Sequence, residues 1–203
     1  MKPTCSNFEA KKSGNYTDLP PVGAYVAEIQ AVRVLDPQKD NSVQRITIEL
    51  LMEIIEGEYA NRFHEVYEDQ QERFGSTAKY KGIFRLYPYT DDDEDYRKRS
   101  FQSNLWCVQE SNPGYKWDWD EKKLKGKKVG ISLRKRLYTF NGKDRETVEI
   151  AKFETIDDVR NGKCRPVKDR DQREKHDEPV EESTDGSIFT DVSGKINVPW
   201  PTD

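Results

Sequence analysis

The sequence predicts a mainly β domain, a five-stranded Greek-key barrel with one helix between strands three and four, followed by a disordered acidic tail. Three observations carry this reading. Runs rich in β-branched and aromatic residues alternate with Pro, Gly and Asn turn signals. One stretch, residues 91–110, has apolar residues at helical spacing. From Lys168 to Asp203 there are five Lys/Arg against ten Asp/Glu and few large apolar residues, too little to form a core.

Residues 1–18 are polar and bear Gly, Ser and Asn, which predicts an irregular arm. The two prolines of DLPPVG stiffen the chain ahead of the first strand, Ala24 to Leu35, and DPQKDN closes that strand with a turn cluster. Ser42 to Ile55 forms the second. Val43, Arg45, Thr47 and Glu49 alternate with Ile46, Ile48 and Leu50, and the β-branched residues favour a strand over the helix that the continuous run Leu50 to Ile55 also permits. Arg62 to Tyr67, RFHEVY, is expected as strand three, completing an antiparallel meander. Residues 68–90 carry no assigned element, and GIFRLYPYT within them reads as an extra strand or a lining loop.

Between Asp91 and Glu110, Phe101, Leu105 and Val108 recur at i, i+4 and i+7, and the acids of DDDED suit the positive end of a helix dipole. Pro113 and Gly114 stop that helix. Lys127 to Phe140 and Arg145 to Phe153 read as two strands joined at Asn141-Gly142, a strong hairpin signal. ETIDDVRNGKCRPV resembles a closing helical turn. This element order is that of an OB-fold, expected over residues 19–167, with the tail over 168–203.

Composition narrows the function. Hydrophobic residues make up 33% and charged residues 35%, lean for a single core across all 203 residues. The formal charge is -4, but the tail alone carries -5, so the body is slightly basic. Cys5, Cys107 and Cys164 are widely spaced without a CxxC pair, which points to reduced thiols in a cytoplasm and to no metal site. No apolar run approaches the roughly 20 residues of a membrane span, and the N-terminus lacks the apolar stretch of a signal peptide. A soluble intracellular protein is expected, without membrane contact. No GxSxG, Walker loop or HExxH is present, so neither an enzyme nor a cofactor is expected.

The candidate contact residues are basic and aromatic. Lys122, Lys123, Lys125, Lys127, Lys128, Arg134, Lys135 and Arg136 crowd a short interval with Glu121 beside them. On a barrel face they could neutralise phosphates; equally, they could guard a solvated edge against aggregation. Tyr138 and Phe140 lie near the hairpin tip, with Lys143 and Arg145 beyond the turn, and OB-folds clamp strands with such loops. Arg45, Arg62 and His64 are weaker additions, and Arg85, Tyr87 and Tyr89 form a basic-aromatic patch of unassigned structure. Tyr115, Trp117 and Trp119 share one side if extended; packing is the plainer account of at least two, with Trp117 retained as a stacking candidate. Asp91 to Asp95 could hold magnesium, but consecutive acids diverge around a helix end, and a dipole-favoured N-terminus explains them better. In the tail, Ile196, Val198 and Trp200 follow an acidic run, which resembles the partner-recruiting peptide of bacterial-type single-stranded DNA-binding proteins, although this chain ends PWPTD. A solubilising tail is the alternative.

SGNYTDLPPVGAYVAEI (Ser13 to Ile29), IEGEYANRFHEVY (Ile55 to Tyr67), YKGIFRLY (Tyr80 to Tyr87), ESNPGYKWDWDEKKLKGKKVG (Glu110 to Gly130) and VRNGKCRPVK (Val159 to Lys168) together resemble a family of small phage and prophage proteins of Gram-positive bacteria. The resemblance implies an OB-like single-stranded DNA-binding domain in phage replication or recombination, with no catalytic residues and with single-stranded DNA and replication or recombination proteins as partners. The alternative is a phage protein-interaction or assembly factor that binds no nucleic acid.

Overall fold

The structure, a computed structural model, describes residues 17–39 and 43–173. It is mainly β. An antiparallel sheet runs in the order β3-β2-β1-β4-β5, built from β1 (Ala24–Leu35), β2 (Thr47–Ile54), β3 (Ile83–Leu86), β4 (Lys128–Phe140) and β5 (Lys143–Glu154). A short sixth strand, β6 (Arg170–Gln172), adds parallel to β4 and carries the sheet past the expected boundary at Lys168. Three α-helices accompany the sheet: α1 (Arg62–Phe74), α2 (Asp95–Ser111) and α3 (Ile156–Arg160).

β1 begins and ends where its composition predicts, and the Asn141-Gly142 hairpin is present. Asn141 and Gly142 have φ of 51° and 68°, the left-handed pair that a two-residue turn between twisted strands requires. β2 departs from simple alternation. Thr47, Ile48, Glu49 and Leu50 are all buried because the strand is covered on both faces, whereas Ile46, just outside it, is 53% exposed.

The segment expected as strand three is the first helix. Phe63 and Val66, three residues apart, are its buried positions, and the polar run that follows supplies good helix formers. Its decisive support comes from β2. The buried Glu53 carboxylate accepts from the Phe63 amide at 3.1 Å through Oε1 and from the His64 amide at 2.8 Å through Oε2, which caps the helix from another element. Tyr80 donates to the same carboxylate at 2.7 Å. The third strand lies instead in GIFRLYPYT, where Glu49 pairs with Arg85 and Leu50 with Phe84.

The core gathers Ile29, Leu50, Met52, Val129, Ile131 and Leu133 from the sheet with Phe101, Leu105 and Val108 from α2. Each such side chain contributes about 1.5–3 kcal/mol on full burial. The motif ESNPGY is a clamp at the end of α2. Asn112 Nδ2 donates to the Lys128 carbonyl at 2.6 Å and to the Val108 carbonyl at 2.7 Å, while its Oδ1 accepts from the Lys128 amide at 3.1 Å. The side chain thereby acts as one more rung beside β4. Ser111 Oγ accepts from the Ile156 amide at 3.1 Å, and Gln109 Oε1 from the Trp117 amide at 2.8 Å. Gly130 lets α3 come close: a Cβ there would lie 2.6 Å from Val159 Cγ2 and 2.9 Å from the Thr155 carbonyl oxygen.

The sheet is open. Among the described residues no ladder joins its end strands β3 and β5, although Phe84 and Phe153 on them pack with ring centroids 4.5 Å apart. Helix α2 satisfies the β5 edge there: the Phe153 amide donates to Asn104 Oδ1 at 2.9 Å, and its carbonyl accepts from Cys107 Sγ at 3.6 Å.

Candidate functional site

Where the end strands converge without pairing they leave a cleft of about 750 Å³. β3 with its flanking residues forms one wall, α2 a second, and β4, β5 and β6 the third. Its lining holds eight cationic side chains, Arg45, Lys81, Arg85, Arg97, Arg134, Arg136, Lys152 and Arg170, and one carboxylate, Glu149. Tyr80, Tyr87 and Tyr96 add aromatic rings. A volume of this order lies within the range of ligand-binding clefts.

Carboxylates set behind or among the arginines hold them in position. Glu49, buried, receives Arg33 at 2.5 Å and Arg85 at 2.9 Å, a row across β1, β2 and β3 that follows the cross-strand pairing of these residues. Burial raises its pKa, but the hydrogen bonds from Arg33 and Arg85 outweigh that and keep it below the ordinary glutamate range. Asp93 receives Arg45 at 2.9 Å and Arg97 at 3.2 Å. The Thr90 amide, with both guanidiniums, holds its carboxyl at about 2. Glu149 takes Arg134 at 2.8 Å, with Arg170 at 3.7 Å and Arg136 at 3.9 Å. Three carboxylates thus hold seven arginines, six of them in the lining, and Glu154 holds Lys152 at 2.7 Å; eight cations against these four carboxylates leave the cleft a net positive charge.

Lys81 completes the pattern. Among the described residues no carboxylate lies within salt-bridge reach of it. Burial lowers its pKa, and the neighbouring cations Lys79 and Arg136 lower it further. An anion in the cleft would relieve that repulsion.

The residues expected from the sequence divide into two groups. Arg45, Arg85, Arg134 and Arg136 meet in the cleft. The others do not line it. Arg62 sits on α1 rather than a strand, paired with Glu65 at 3.0 Å and lying over the Tyr59 ring. Lys127 lies over the Tyr115 ring at 4.8 Å, and exposed Lys128 is engaged through its backbone by Asn112. Tyr138 carries the Arg136 guanidinium 5.6 Å from its ring, while Phe140, Lys143 and Arg145 surround the hairpin tip. Ile196, Val198 and Trp200 lie outside the described residues.

Trp117 is half-buried against Phe101, at 6.2 Å between centroids. Trp119 is 60% exposed and stacks on Phe101 at 5.9 Å and 18°. The segment is not simply extended, because Trp119 has a φ of 68°. The acids of DDDED also have plain roles: Asp93 anchors two arginines and Asp95 opens α2. Among the described residues no group of three or more His, Cys, Asp or Glu is placed to hold a metal ion, and no helix is long and apolar enough to cross a membrane.

Sequence reasoning passed over Lys81, Tyr96, Arg97, Lys152 and Arg170. Lys81 stands in YKGIFRLY, where basic and aromatic residues interleave; Arg170 falls in the stretch expected as tail. Compared with protein-family models and with curated proteins, the chain matches none.

Proposed function

We propose that the chain is a non-enzymatic single-stranded DNA-binding protein and that the cleft between β3 and β5 is its binding groove. The observation that carries this is the lining itself, eight cations to one carboxylate with tyrosines among them. Cations neutralise phosphates without regard to sequence, and rings stack on any base. In this reading the open sheet is a variant of the OB-like barrel in which α2 takes the place of the closing ladder. The resemblance to phage and prophage proteins supports a setting in replication or recombination in the cytoplasm of a bacterial host. Ile196, Val198 and Trp200 are then candidates for recruiting replication or recombination proteins.

A labelled oligo-dT and a matched duplex, titrated at two salt concentrations, test the reading. Preference for the oligo is expected, with log K falling against log salt by about 0.7 per phosphate neutralised. The Arg134→Ala/Arg136→Ala pair should flatten that slope. A protein-interaction factor is the second reading, favoured by Trp106 and Trp119, exposed at 52% and 60%. Absence of binding to either nucleic acid would select it.

A further inference from the structure

The rings of the cleft are unevenly placed. Four of the eight cations, Arg134, Arg136, Lys152 and Arg170, stand on the wall from β4, β5 and β6 and four on the other two walls, but the first wall has no aromatic ring. The tyrosines all stand on the other two walls. Tyr80 is committed there, since its hydroxyl donates to Glu53 and it packs edge-on to Tyr67 at 5.7 Å. Tyr87 and Tyr96 are not buried, at 47% and 55% exposed. Arg97 braces Tyr96, with its Nε donating to the hydroxyl at 2.9 Å and its guanidinium 5.6 Å from the ring centroid.

Resting on the single-stranded DNA reading, we infer that the strand lies in one orientation across the cleft. Its phosphodiester backbone follows the hairpin-side wall, and its bases turn toward β3 and α2, where Tyr87 and Tyr96 stack on them. Cations stand on both sides but exposed rings on one, so the ring-free wall is left to the phosphates and the ring-bearing walls to the bases. Phosphates gain from the guanidiniums of Arg134, Arg136 and Arg170, which keep unused donors because Glu149 is one carboxylate shared among three. Bases gain from exposed rings that lose little freedom on stacking. Tyr138 and Phe140, near the hairpin tip, lie outside the cleft lining and are not stacking residues here. A duplex, whose bases already stack on each other, presents no free base face to Tyr87 and Tyr96.

The test compares the full chain binding oligo-dT with its binding to an abasic oligonucleotide of equal length, which keeps the phosphates and lacks the bases. Wild-type binding of oligo-dT decides the underlying reading; the variants decide the orientation. Tyr87→Ala/Tyr96→Ala should weaken oligo-dT by about tenfold or more, leave the abasic strand within about twofold, and leave the salt slope unchanged. Tyr87→Phe/Tyr96→Phe should bind as wild type does. Arg134→Ala/Arg136→Ala should weaken both ligands and lower the slope by about 1.4. Equal loss on both ligands in the tyrosine-to-alanine variant, or no loss on either, overturns the orientation. So does photocrosslinking of a halogenated-uracil oligonucleotide to Tyr138 or Phe140 instead of to residues 80–97.

Discussion

Glu149 faces Arg134 across the β4–β5 ladder, and one of its carboxylate oxygens receives both Nε and Nη2 of that guanidinium, at 2.9 and 2.8 Å. Arg136 and Arg170 stand farther off the same carboxylate. Glu149 therefore occupies, with a single charge, ground that a phosphate would contest.

Neutralising it should favour the phosphate. Glu149→Gln is expected to tighten oligo-dT binding by about threefold to tenfold at low salt, with the gain shrinking as salt screens the cleft. Fluorescence anisotropy at two salt concentrations measures it. Weaker binding in the variant would mean that holding Arg134 in place matters more than competing for it.

The clamp at Asn112 is expected to matter for stability and not for binding. Asn112→Ala removes three hydrogen bonds and leaves the Lys128 amide and carbonyl without this partner. The cost should be about 1–3 kcal/mol in urea unfolding. Oligo-dT affinity of the folded fraction should not change. A variant as stable as wild type would show that water replaces the side chain at no cost.

Asp93 gives the fold an acid-sensitive anchor. Its carboxyl is held at about 2 against an ordinary 3.8, so the native state binds fewer protons than the unfolded chain between those values. The stability it contributes is complete above 3.8 and is lost as pH falls toward 2. The difference in urea midpoint between wild type and Asp93→Asn should accordingly be widest near neutrality and close on acidification. A difference that stays constant down to about pH 2.5 would place the effect elsewhere.

Much of the architecture could be read locally. β1 is bounded by prolines and a turn cluster, the β4–β5 hairpin is announced by Asn141-Gly142, and the apolar spacing of Phe101, Leu105 and Val108 marks α2. The interval around RFHEVY misleads because its short apolar pattern fits either period. What makes it a helix is Glu53, a carboxylate on β2 that meets the free amides at its start. GIFRLYPYT stays open between an extra strand and a lining loop for a related reason: its four strand residues are fixed in that geometry by pairing with β2.

By itself the sequence determined the strong local elements and the supply of basic and aromatic side chains, because turn residues and apolar periodicity act over a few neighbouring positions. Only the tertiary structure decided which of those side chains meet. Arg45, Arg85, Arg134 and Arg170 are far apart along the chain, and they line one cleft because the sheet brings its end strands near each other while α2 bonds the free edge of β5.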